Sequence, residues 1–302
     1  MMKTVSFFVL FLGINRSIAQ WNTNDYLKRE HSLAKPYQGA GMSIPFWDFT
    51  GNTMVTQDYI RLTADRQSSQ GGLWNSVPCT IRNWEVQIHF KVHGKAKELF
   101  GDGFAFWYTK DRMQLGNVFG SKDNFLGLAV LADTYNNHNG PHNHGHPYIS
   151  AMVNNGTMNY DHDRDGTHTE VAGCESQFKI SNHDTHLNIR YENDVLTVTT
   201  DIDGKNSWSE CFKVEGVQLP TGYYFGFSAA TGDLSGYLIN FFFMKVFFWN
   251  NGLNHVEDPE PSMSGFKLFM IILCSIIGLV VLGLVGFMLY QKQQETSRKR
   301  FY

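Results

Sequence analysis

The sequence Trp84-Glu-Val-Gln-Ile-His-Phe-Lys-Val92 alternates without exception between apolar and polar residues. Because successive side chains of a β-strand point to opposite faces, this period is typical of a half-buried antiparallel strand. Glycines and polar clusters punctuate the 302-residue chain, and no long stretch keeps a helical period outside one apolar segment near its end. These patterns favour an all-β fold, an antiparallel β-sandwich, over an α/β fold.

Further strands are predicted in the second half of the chain. Residues 185–191 alternate in the same way, a turn at 193–194 leads into the run 195–200, and a second turn leads into 208–214. This spacing predicts a meander of three strands. Residues 241–249 are strongly apolar and are interpreted as a closing strand of the sandwich.

Apolar segments lie near both ends of the chain. The chain begins with a short basic stretch, an apolar run and small residues before Gln20, and this order predicts a signal peptide. The apolar run is too short to span a bilayer. Residues 268–290 carry no charge and are long enough to cross about 30 Å of hydrocarbon as a helix. The predicted organisation is a signal peptide at 1–19, a luminal domain at 20–249, a short stalk at 250–265, a transmembrane helix at 266–290 and a cytoplasmic tail at 291–302.

Charges on either side of the predicted membrane helix set its orientation. Lys292 and the cluster Arg298-Lys-Arg300 follow the helix, whereas Glu257, Asp258 and Glu260 precede it. The positive-inside rule then predicts a type I membrane protein with a cytoplasmic tail. The net charge of −3 gives no reason to expect nucleic acid as a partner.

Three short acidic loops adjoin apolar runs. Asp133-Thr-Tyr-Asn-Asn137 follows the apolar run 125–131, while Gly101-Asp-Gly103 and residues 231–236 adjoin runs of the same kind. Carboxylate, carbonyl and amide oxygens suit Ca²⁺, which takes about six to eight oxygen ligands. With the ring of Tyr135 beside them, the same donors also suit a sugar. The sequence therefore predicts a metal-organised sugar site.

These loops, taken in order with Tyr160-Asp-His-Asp-Arg-Asp165, resemble the L-type (legume-like) lectins of the animal secretory pathway, and among them the vesicular integral membrane lectins. The resemblance covers residues 28–249 and resumes in the membrane anchor and the tail. It implies a legume-lectin-like antiparallel β-sandwich with one transmembrane helix. It also implies a calcium-dependent lectin that recognises high-mannose N-glycans on secretory glycoproteins. Such a lectin would act in transport or quality control between the endoplasmic reticulum, the intermediate compartment and the Golgi apparatus.

The same resemblance implies roles for particular residues. The expected Ca²⁺ ligands are Asp133, the carbonyl of Tyr135, Asn137 and Asp165. The expected mannose contacts are Ser68, Asp102, Asn137, His162, Gly232, Asp233 and Leu234. The two metal-binding carboxylates offset the charge of the ion, and the neutral donors complete its shell. A cis peptide bond is expected before Asp102, as in related legume-type lectins.

The presence of His162 leads to a hypothesis about how sugar binding depends on pH. Its neutral ring both donates and accepts a hydrogen bond, which suits a sugar hydroxyl. Acidification is therefore expected to weaken sugar binding, by protonating His162 and by competing with Ca²⁺ for Asp133 and Asp165.

The run His138-Asn-Gly-Pro-His-Asn-His-Gly-His146 departs from the pattern of the family. Its four histidines suit Zn²⁺ or another transition metal. The run nevertheless lacks a secondary-structure framework, so a flexible loop beside the calcium site is the favoured interpretation.

Cysteine usage alone leaves the disulfide pairing open. Cys274 lies in the predicted membrane span, and Cys79, Cys174 and Cys211 lie in the luminal part, where three pairings are possible. The resemblance implies a disulfide between Cys174 and Cys211, with Cys79 as a buried free thiol.

Other motifs are typical of a glycosylation site and of sorting signals in the secretory pathway. Asn155-Gly-Thr157 is an N-glycosylation sequon in a predicted luminal loop. In the tail, Phe301 and Tyr302 resemble the aromatic export signal of the family, and Arg298, Lys299 and Arg300 resemble a basic retrieval signal. These signals imply contacts with coat proteins and cycling in the early secretory pathway.

Two alternatives remain open beside the lectin. A glycoside hydrolase needs two carboxylates across the scissile bond, but Asp133 and Asp165 are expected to bind metal, and no Gly-x-Ser-x-Gly or His-Glu-x-x-His motif occurs. A sugar-independent cargo receptor would not need Asp102, Asn137 and His162 together. The sequence therefore favours a lectin over an enzyme.

Overall fold

The computed structural model of the chain describes residues 26–37, 43–93, 101–137, 144–178, 183–232 and 238–249. The predicted signal peptide, stalk, transmembrane helix and cytoplasmic tail all lie outside these residues. Within them, no helix combines the length and apolar character that crossing a membrane requires.

Fourteen strands are present in the described residues. They are β1 Trp47–Gly51, β2 Met54–Val55, β3 Ile60–Arg61, β4 Gln70–Asn75, β5 Asn83–His93, β6 Gly103–Thr109, β7 Leu126–Asp133, β8 Tyr148–Asn155, β9 Ala172–Glu175, β10 Thr185–Glu192, β11 Val195–Asp201, β12 Ser209–Glu215, β13 Tyr224–Ala230 and β14 Leu238–Trp249. Short 3₁₀ helices lie at Arg29–His31 and His162–Arg164.

The strands form two antiparallel sheets of seven strands each. We call the first the site sheet, with the order β1-β4-β13-β6-β7-β8-β9, and the second the back sheet, with the order β12-β11-β10-β5-β14-β3-β2. The described chain is therefore an all-β, two-sheet sandwich, as the sequence patterns predict. The predicted meander is confirmed as β10, β11 and β12, which pair in succession, and the predicted closing strand is β14.

The central strand β5 shows why the sheets face each other as they do. Its apolar residues are almost completely buried, and Trp84, at the start of the strand, is the largest of them. The Trp84 ring packs against Tyr108 and Phe225 of the site sheet, with ring centroids 5.1 and 5.3 Å apart. Each large apolar side chain buried here contributes about 1.5–3 kcal/mol by leaving water. The period-2 pattern of β5 thus fixes which face meets the other sheet.

The other face of the site sheet is also covered. Trp107 of β6 packs between Trp74 and Phe125, with ring centroids 6.4 and 5.0 Å away. Trp107 Nε1 donates a hydrogen bond to Ser228 Oγ, at 2.8 Å, and Ser228 Oγ donates to the Phe119 carbonyl, at 2.7 Å. These bonds hold the loop after β6 against the sheet, so the central strands of the site sheet are buried on both faces.

A disulfide bond joins Cys174 of β9 to Cys211 of β12. The two strands are edge strands of the two sheets, so the bond ties the sandwich together at one side. Cys79 is buried and free. The pairing implied by the resemblance is therefore confirmed.

Candidate metal and sugar site

The loops that carry the predicted site residues leave one end of the site sheet together. Gly103, at the start of β6, pairs with Asp133 at the end of β7 and with Ala230 at the end of β13. In antiparallel neighbours, the start of one strand lies beside the ends of the next. Strand pairing therefore brings the segments around Asp102 and Gly232 to the same edge as Asp133.

The two carboxylates predicted to bind metal are both buried. Asp133 and Asp165 are only 5% and 3% exposed. Oδ1 of Asp133 accepts a hydrogen bond from the Tyr135 N–H, at 2.9 Å, and Oδ1 of Asp165 accepts one from the Asn137 N–H, at 3.1 Å. The second bond draws the loop after β7 onto the segment that holds Asp165. These bonds bring Asp133, Tyr135, Asn137 and Asp165 close to one another.

Local backbone structure places Asp165. The side chain of Asp161 accepts a hydrogen bond from the Asp163 N–H and caps the short 3₁₀ helix His162–Arg164. Asp165 ends this helix in the left-handed region, with a φ of 50°. Aspartate is one of the few residues other than glycine that adopt this conformation readily. The helix and its ending turn the Asp165 carboxylate toward the site.

Burial of negative charge dominates the electrostatics. Burial raises the pKa of Asp133 well above its usual range, and the nearby carboxylates of Asp165 and Asp102 raise it further. Burial and the same three carboxylates also raise the pKa of Tyr160, which packs beside them. A bound cation would compensate for this crowding of carboxylates.

Asp102 is anchored through its main chain. The peptide bond between Gly101 and Asp102 is cis, as expected. The carbonyl of Asp102 accepts hydrogen bonds from the N–H and the Oγ1 of Thr134, both at 2.9 Å, and its N–H donates to the Ala230 carbonyl, at 3.1 Å. Thr134 directly follows Asp133, so the predicted sugar loop and the predicted metal loop are hydrogen-bonded to each other.

Two glycines leave room around these loops. A Cβ on Gly101 would lie 2.9 Å from Cβ of Tyr135, and a Cβ on Gly232 would lie 2.9 Å from Oδ1 of Asp102. Ser68 is exposed, and its N–H donates to the Gly232 carbonyl, at 3.0 Å. Ser68, Asp102 and Gly232 therefore lie together, as predicted. Asp233 and Leu234 lie outside the described residues.

His162 is held at the edge of the same site. Its Nε2 lies 2.7 Å from the Asn117 carbonyl, and its ring contacts Tyr160 with centroids 4.7 Å apart. Because a carbonyl can only accept, Nε2 carries the hydrogen and the neutral ring keeps Nδ1 as an acceptor. This arrangement suits a hydroxyl donor. The predicted effect of acid on His162 stays a prediction.

His146 also lies at the site, although the sequence pattern did not predict it there. Its Nε2 lies 3.9 Å from Oδ2 of Asp133 and 3.9 Å from Oδ2 of Asp165. Strand pairing could have predicted its place. His146 lies just before β8, and Tyr148 of β8 pairs with Asp133. Residues 138–143 of the histidine-rich run lie outside the described residues, but the ring of His144 near its end stacks on Tyr148 of β8.

The donor set fits calcium. Buried carboxylates, a backbone carbonyl and an amide are all oxygen ligands of the kind that Ca²⁺ takes. Oδ2 of Asp165 is buried and accepts no hydrogen bond from the described residues, so it can take a cation without losing a partner. The residues that would hold Ca²⁺ are Asp133, Tyr135, Asn137 and Asp165.

The remaining predicted sites fall into two groups. Asn155 is exposed at the end of β8, and its Oδ1 accepts hydrogen bonds from the N–H and the Oγ1 of Thr157. The acceptor side chain is thus accessible, and its glycosylation stays a prediction. The tail residues 298–302 lie outside the described residues.

Known proteins are similar to this chain in sequence and in structure. Human vesicular integral-membrane protein VIP36 is 46% identical over 330 aligned positions, which cover 99% of this chain and 92% of that protein. Human VIP36-like protein is 48% identical over 97% of this chain and 92% of its own. A crystal structure of the exoplasmic/lumenal domain of VIP36, in a Ca²⁺/Man-bound form, is 53% identical. It superposes with a TM-score of 0.72 over 76% of this chain and 93% of that one.

The sequence profile of the legume-like lectin family matches residues 24–251. This match spans the whole described sandwich, including every loop of the site. The chain therefore belongs to the legume-like lectin family.

Proposed function

We propose that this chain is a lectin that binds mannose-rich N-glycans through one calcium-dependent site and does not act as a glycoside hydrolase. The observation that carries the proposal is the pair of hydrogen bonds from Thr134 to the Asp102 carbonyl. They connect the loop that would hold the cation to the loop that would accept the sugar. Calcium would then order the sugar site, so binding of sugar depends on the ion.

Relatives support this assignment. VIP36, about half identical to this chain in its lumenal domain, has been crystallised in Ca²⁺/Man-bound, Ca²⁺/Man2-bound and Ca²⁺/Man3GlcNAc-bound forms. The carboxylates and the amide of the present site provide oxygen ligands for a hard cation and acceptors for sugar hydroxyls.

Each residue has a defined part in the proposed site. Asp133 and Asp165 would hold Ca²⁺, whose positive charge would offset that of the two buried carboxylates. Asp102 accepts hydrogen bonds from sugar hydroxyls, and the absence of a side chain on Gly232 leaves the space in front of it open. Asn137 uses its amide at the boundary between ion and sugar. His162 accepts a hydroxyl hydrogen through Nδ1.

A single site of this kind binds weakly, with a dissociation constant in the region of 1 mM, or about −4 kcal/mol. Several mannose residues on one glycan arm, or several receptors in one membrane, would increase the effective affinity. The exposed position of Ser68 suits an extended glycan rather than an enclosed small molecule.

We also propose a membrane orientation and a cellular location for the chain. The chain would be a type I membrane protein of the early secretory pathway, with the sandwich in the lumen and the tail in contact with coat proteins through residues 298–302. It would move or monitor newly made glycoproteins between the endoplasmic reticulum and the Golgi apparatus. The name of VIP36, a vesicular integral-membrane protein, supports the membrane anchorage.

A direct test uses the luminal fragment, residues 20–250, on an array of high-mannose glycans. Folding is checked first by far-UV circular dichroism. Binding in Ca²⁺ that disappears with a chelator is the expected result. A folded fragment that binds no glycan in Ca²⁺ would overturn the lectin and favour a sugar-independent cargo receptor.

A further inference from the structure

An open groove lies at the end of the sandwich opposite to the candidate sugar site. Strand register places it there, because Leu126 at the start of β7 pairs with Asn155 at the end of β8, whereas Asp133 lies at the other end of β7. The groove has a volume of about 330 Å³, at the lower end of the range of about 300–1,000 Å³ for ligand pockets. Leu126, Asn155, Met158 and Tyr223 are among the residues that line it.

The turn after β8 forms one wall of the groove and is fixed by a buried amide. Asn154 is only 3% exposed. Its Oδ1 accepts hydrogen bonds from the Gly156 N–H, at 2.9 Å, and from the Met158 N–H, at 3.3 Å. Its Nδ2 donates to the Met158 carbonyl, at 2.7 Å. These three bonds fix the backbone that carries the half-buried side chain of Met158.

The loop between β12 and β13 forms a second wall and is tied to the core. The Leu219 N–H donates to the Tyr191 hydroxyl, at 3.1 Å, and the Pro220 carbonyl accepts from the Tyr108 hydroxyl, at 2.8 Å. The ring of Tyr223 packs against that of Tyr108, with centroids 5.7 Å apart. Because both walls are held by hydrogen bonds to the rest of the sandwich, the groove is preformed, and a ligand has little to order on binding.

Asn155 lines the groove and is also the acceptor of the sequon Asn155-Gly-Thr157. Its side chain is exposed. Its Oδ1 accepts hydrogen bonds from the Thr157 N–H, at 3.2 Å, and from Thr157 Oγ1, at 2.6 Å. Nδ2, the atom to which an N-glycan is attached, lies on the other side of the amide. The first sugar of a glycan at this position would therefore begin at the rim of the groove.

The lining of the groove suits this first sugar, which is N-acetylglucosamine. The sugar presents C–H groups on the faces of its ring and an apolar methyl group on its acetamide, beside polar hydroxyl and amide groups. Leu126, Leu219 and Tyr223 offer apolar surface. The exposed amide of Gln218 can both donate and accept a hydrogen bond. Apolar walls with a few polar groups are the usual composition of a ligand site.

Covalent attachment favours this occupant over an untethered ligand. A free sugar loses translational and rotational freedom on binding and gains few contacts in an open groove. A sugar already bonded to Asn155 has lost that freedom and stays at a high effective concentration beside the groove. Even a weak contact surface is therefore sufficient to hold it.

We propose that this groove binds the first N-acetylglucosamine of the chain's own glycan at Asn155. The bound sugar covers apolar surface between the turn after β8 and the loop before β13, and it stabilises the folded domain. The proposal rests on the predicted glycosylation of Asn155 and does not depend on the calcium or mannose site. The glycan leaves the sandwich at the end opposite to that site and so does not obstruct it.

The test uses the full-length chain, made in animal cells that keep oligomannose glycans and purified in detergent. Mass spectrometry first establishes whether Asn155 carries a glycan, and an unmodified Asn155 would overturn the proposal. Endoglycosidase H then trims the glycan to one N-acetylglucosamine, whereas peptide:N-glycosidase F or the variant Asn155→Gln leaves none. The intact and trimmed forms are expected to melt at the same temperature, and both sugar-free forms are expected to melt about 2 °C lower or more.

Leu126→Ala tests the groove itself, and Leu115→Ala is the matched control. Leu126 is the cross-strand partner of Asn155, whereas Leu115 is exposed and is not among the residues that line the groove. The difference in melting temperature between the single-sugar and sugar-free forms should shrink by about half or more in Leu126→Ala and persist in Leu115→Ala. Comparing this difference within each variant removes the effect of the substitution on stability itself.

Hydrogen exchange provides a second measurement. Residues 217–223 are distant from Asn155 in sequence, so slower amide exchange there in the single-sugar form than in the sugar-free form reports contact across the groove. Stabilisation that requires the complete glycan would assign the effect to the outer sugars. Equal melting temperatures in all forms would leave the groove to another occupant, such as a peptide or a second copy of the chain. Either result would overturn the proposal.

Discussion

Gly232 lies directly against the side chain of Asp102, because a Cβ on Gly232 would lie 2.9 Å from Oδ1 of Asp102. The Asp102 N–H also donates a hydrogen bond to the carbonyl of Ala230, which lies two residues before Gly232. The carbonyl of Gly232 in turn accepts a hydrogen bond from the Ser68 N–H. An added methyl group would have to displace the carboxylate. The space in front of Asp102 thus depends on the glycine.

Gly232→Ala is expected to weaken mannose binding by about tenfold, or about 1.4 kcal/mol, while Ca²⁺ binding persists. The reason is the displaced Asp102 carboxylate. Gly216→Ala is the control, because no atom lies within 4 Å of a Cβ at that position. It should lower stability somewhat, since Gly216 has a φ of 78°, but should leave glycan binding intact. Isothermal titration with a mannose-rich oligosaccharide measures both. Undiminished binding by Gly232→Ala would show that the sugar does not use this space.

Substitutions of Asp102 and of Asp133 should affect sugar binding and metal binding differently. Asp102→Asn removes a charged acceptor for sugar hydroxyls, so mannose binding should fall by about 1.5–3 kcal/mol, or about 10- to 150-fold, with Ca²⁺ retained. Asp133→Asn removes a buried metal ligand, so both Ca²⁺ and mannose binding should be lost. Calorimetric titration of each variant with Ca²⁺ and then with glycan distinguishes the two. Loss of Ca²⁺ binding in Asp102→Asn would contradict the separate roles.

Much of the fold could be predicted because its signal is local. The alternation of β5 and the turns between β10, β11 and β12 follow from side-chain direction in strands, and each strand appears where the period predicts it. The pairing of Cys174 with Cys211 could not be predicted in this way, because it depends on two sheet edges that meet only in the folded sandwich. Only the resemblance to a family supplied it.

The residues of the candidate site could likewise be predicted only in part from the sequence. Acidic loops at strand ends identified Asp102 and Asp133, since each adjoins an apolar run. His146 was missed as a site residue because the long histidine-rich run has no period, and its end acquires a direction only from Glu175 and Tyr148 beside it. The bond from Thr134 to Asp102 is likewise a product of strand register, which a single sequence does not state.

The disulfide should contribute a measurable part of the stability. Cys174 and Cys211 are 37 residues apart, and closing a loop of that size lowers the entropy of the unfolded chain by an amount worth about 4 kcal/mol. The double variant Cys174→Ser/Cys211→Ser is therefore expected to unfold at a clearly lower urea concentration. Reduction of the wild-type protein should have the same effect, and reduction of the variant should have none. A variant as stable as the oxidised wild-type protein would contradict this expectation.

The back sheet carries a pair of neighbouring histidines. His89 of β5 and His186 of β10 are cross-strand partners whose rings stack with centroids 4.7 Å apart. Burial lowers the pKa of both rings. For His89, the charge of His186 and that of Lys35 also lower the pKa, whereas Asp184 raises it. For His186, Asp201 and Asp184 raise the pKa, but burial has the larger effect.

This pair should make the domain less stable in mild acid. A histidine whose pKa is lower in the folded state binds fewer protons than in the unfolded chain, so its contribution is complete above the ordinary pKa of 6.5 and is lost as the pH falls below it. Chemical unfolding of the chelator-treated protein between about pH 7.5 and 5 should show a decrease in the free energy of unfolding. The decrease should be smaller in His89→Gln/His186→Gln, whatever the stability of that variant at neutral pH. His168→Gln, at an exposed position, should keep the wild-type slope. Equal slopes in the double variant and the wild-type protein would assign the acid sensitivity to other groups.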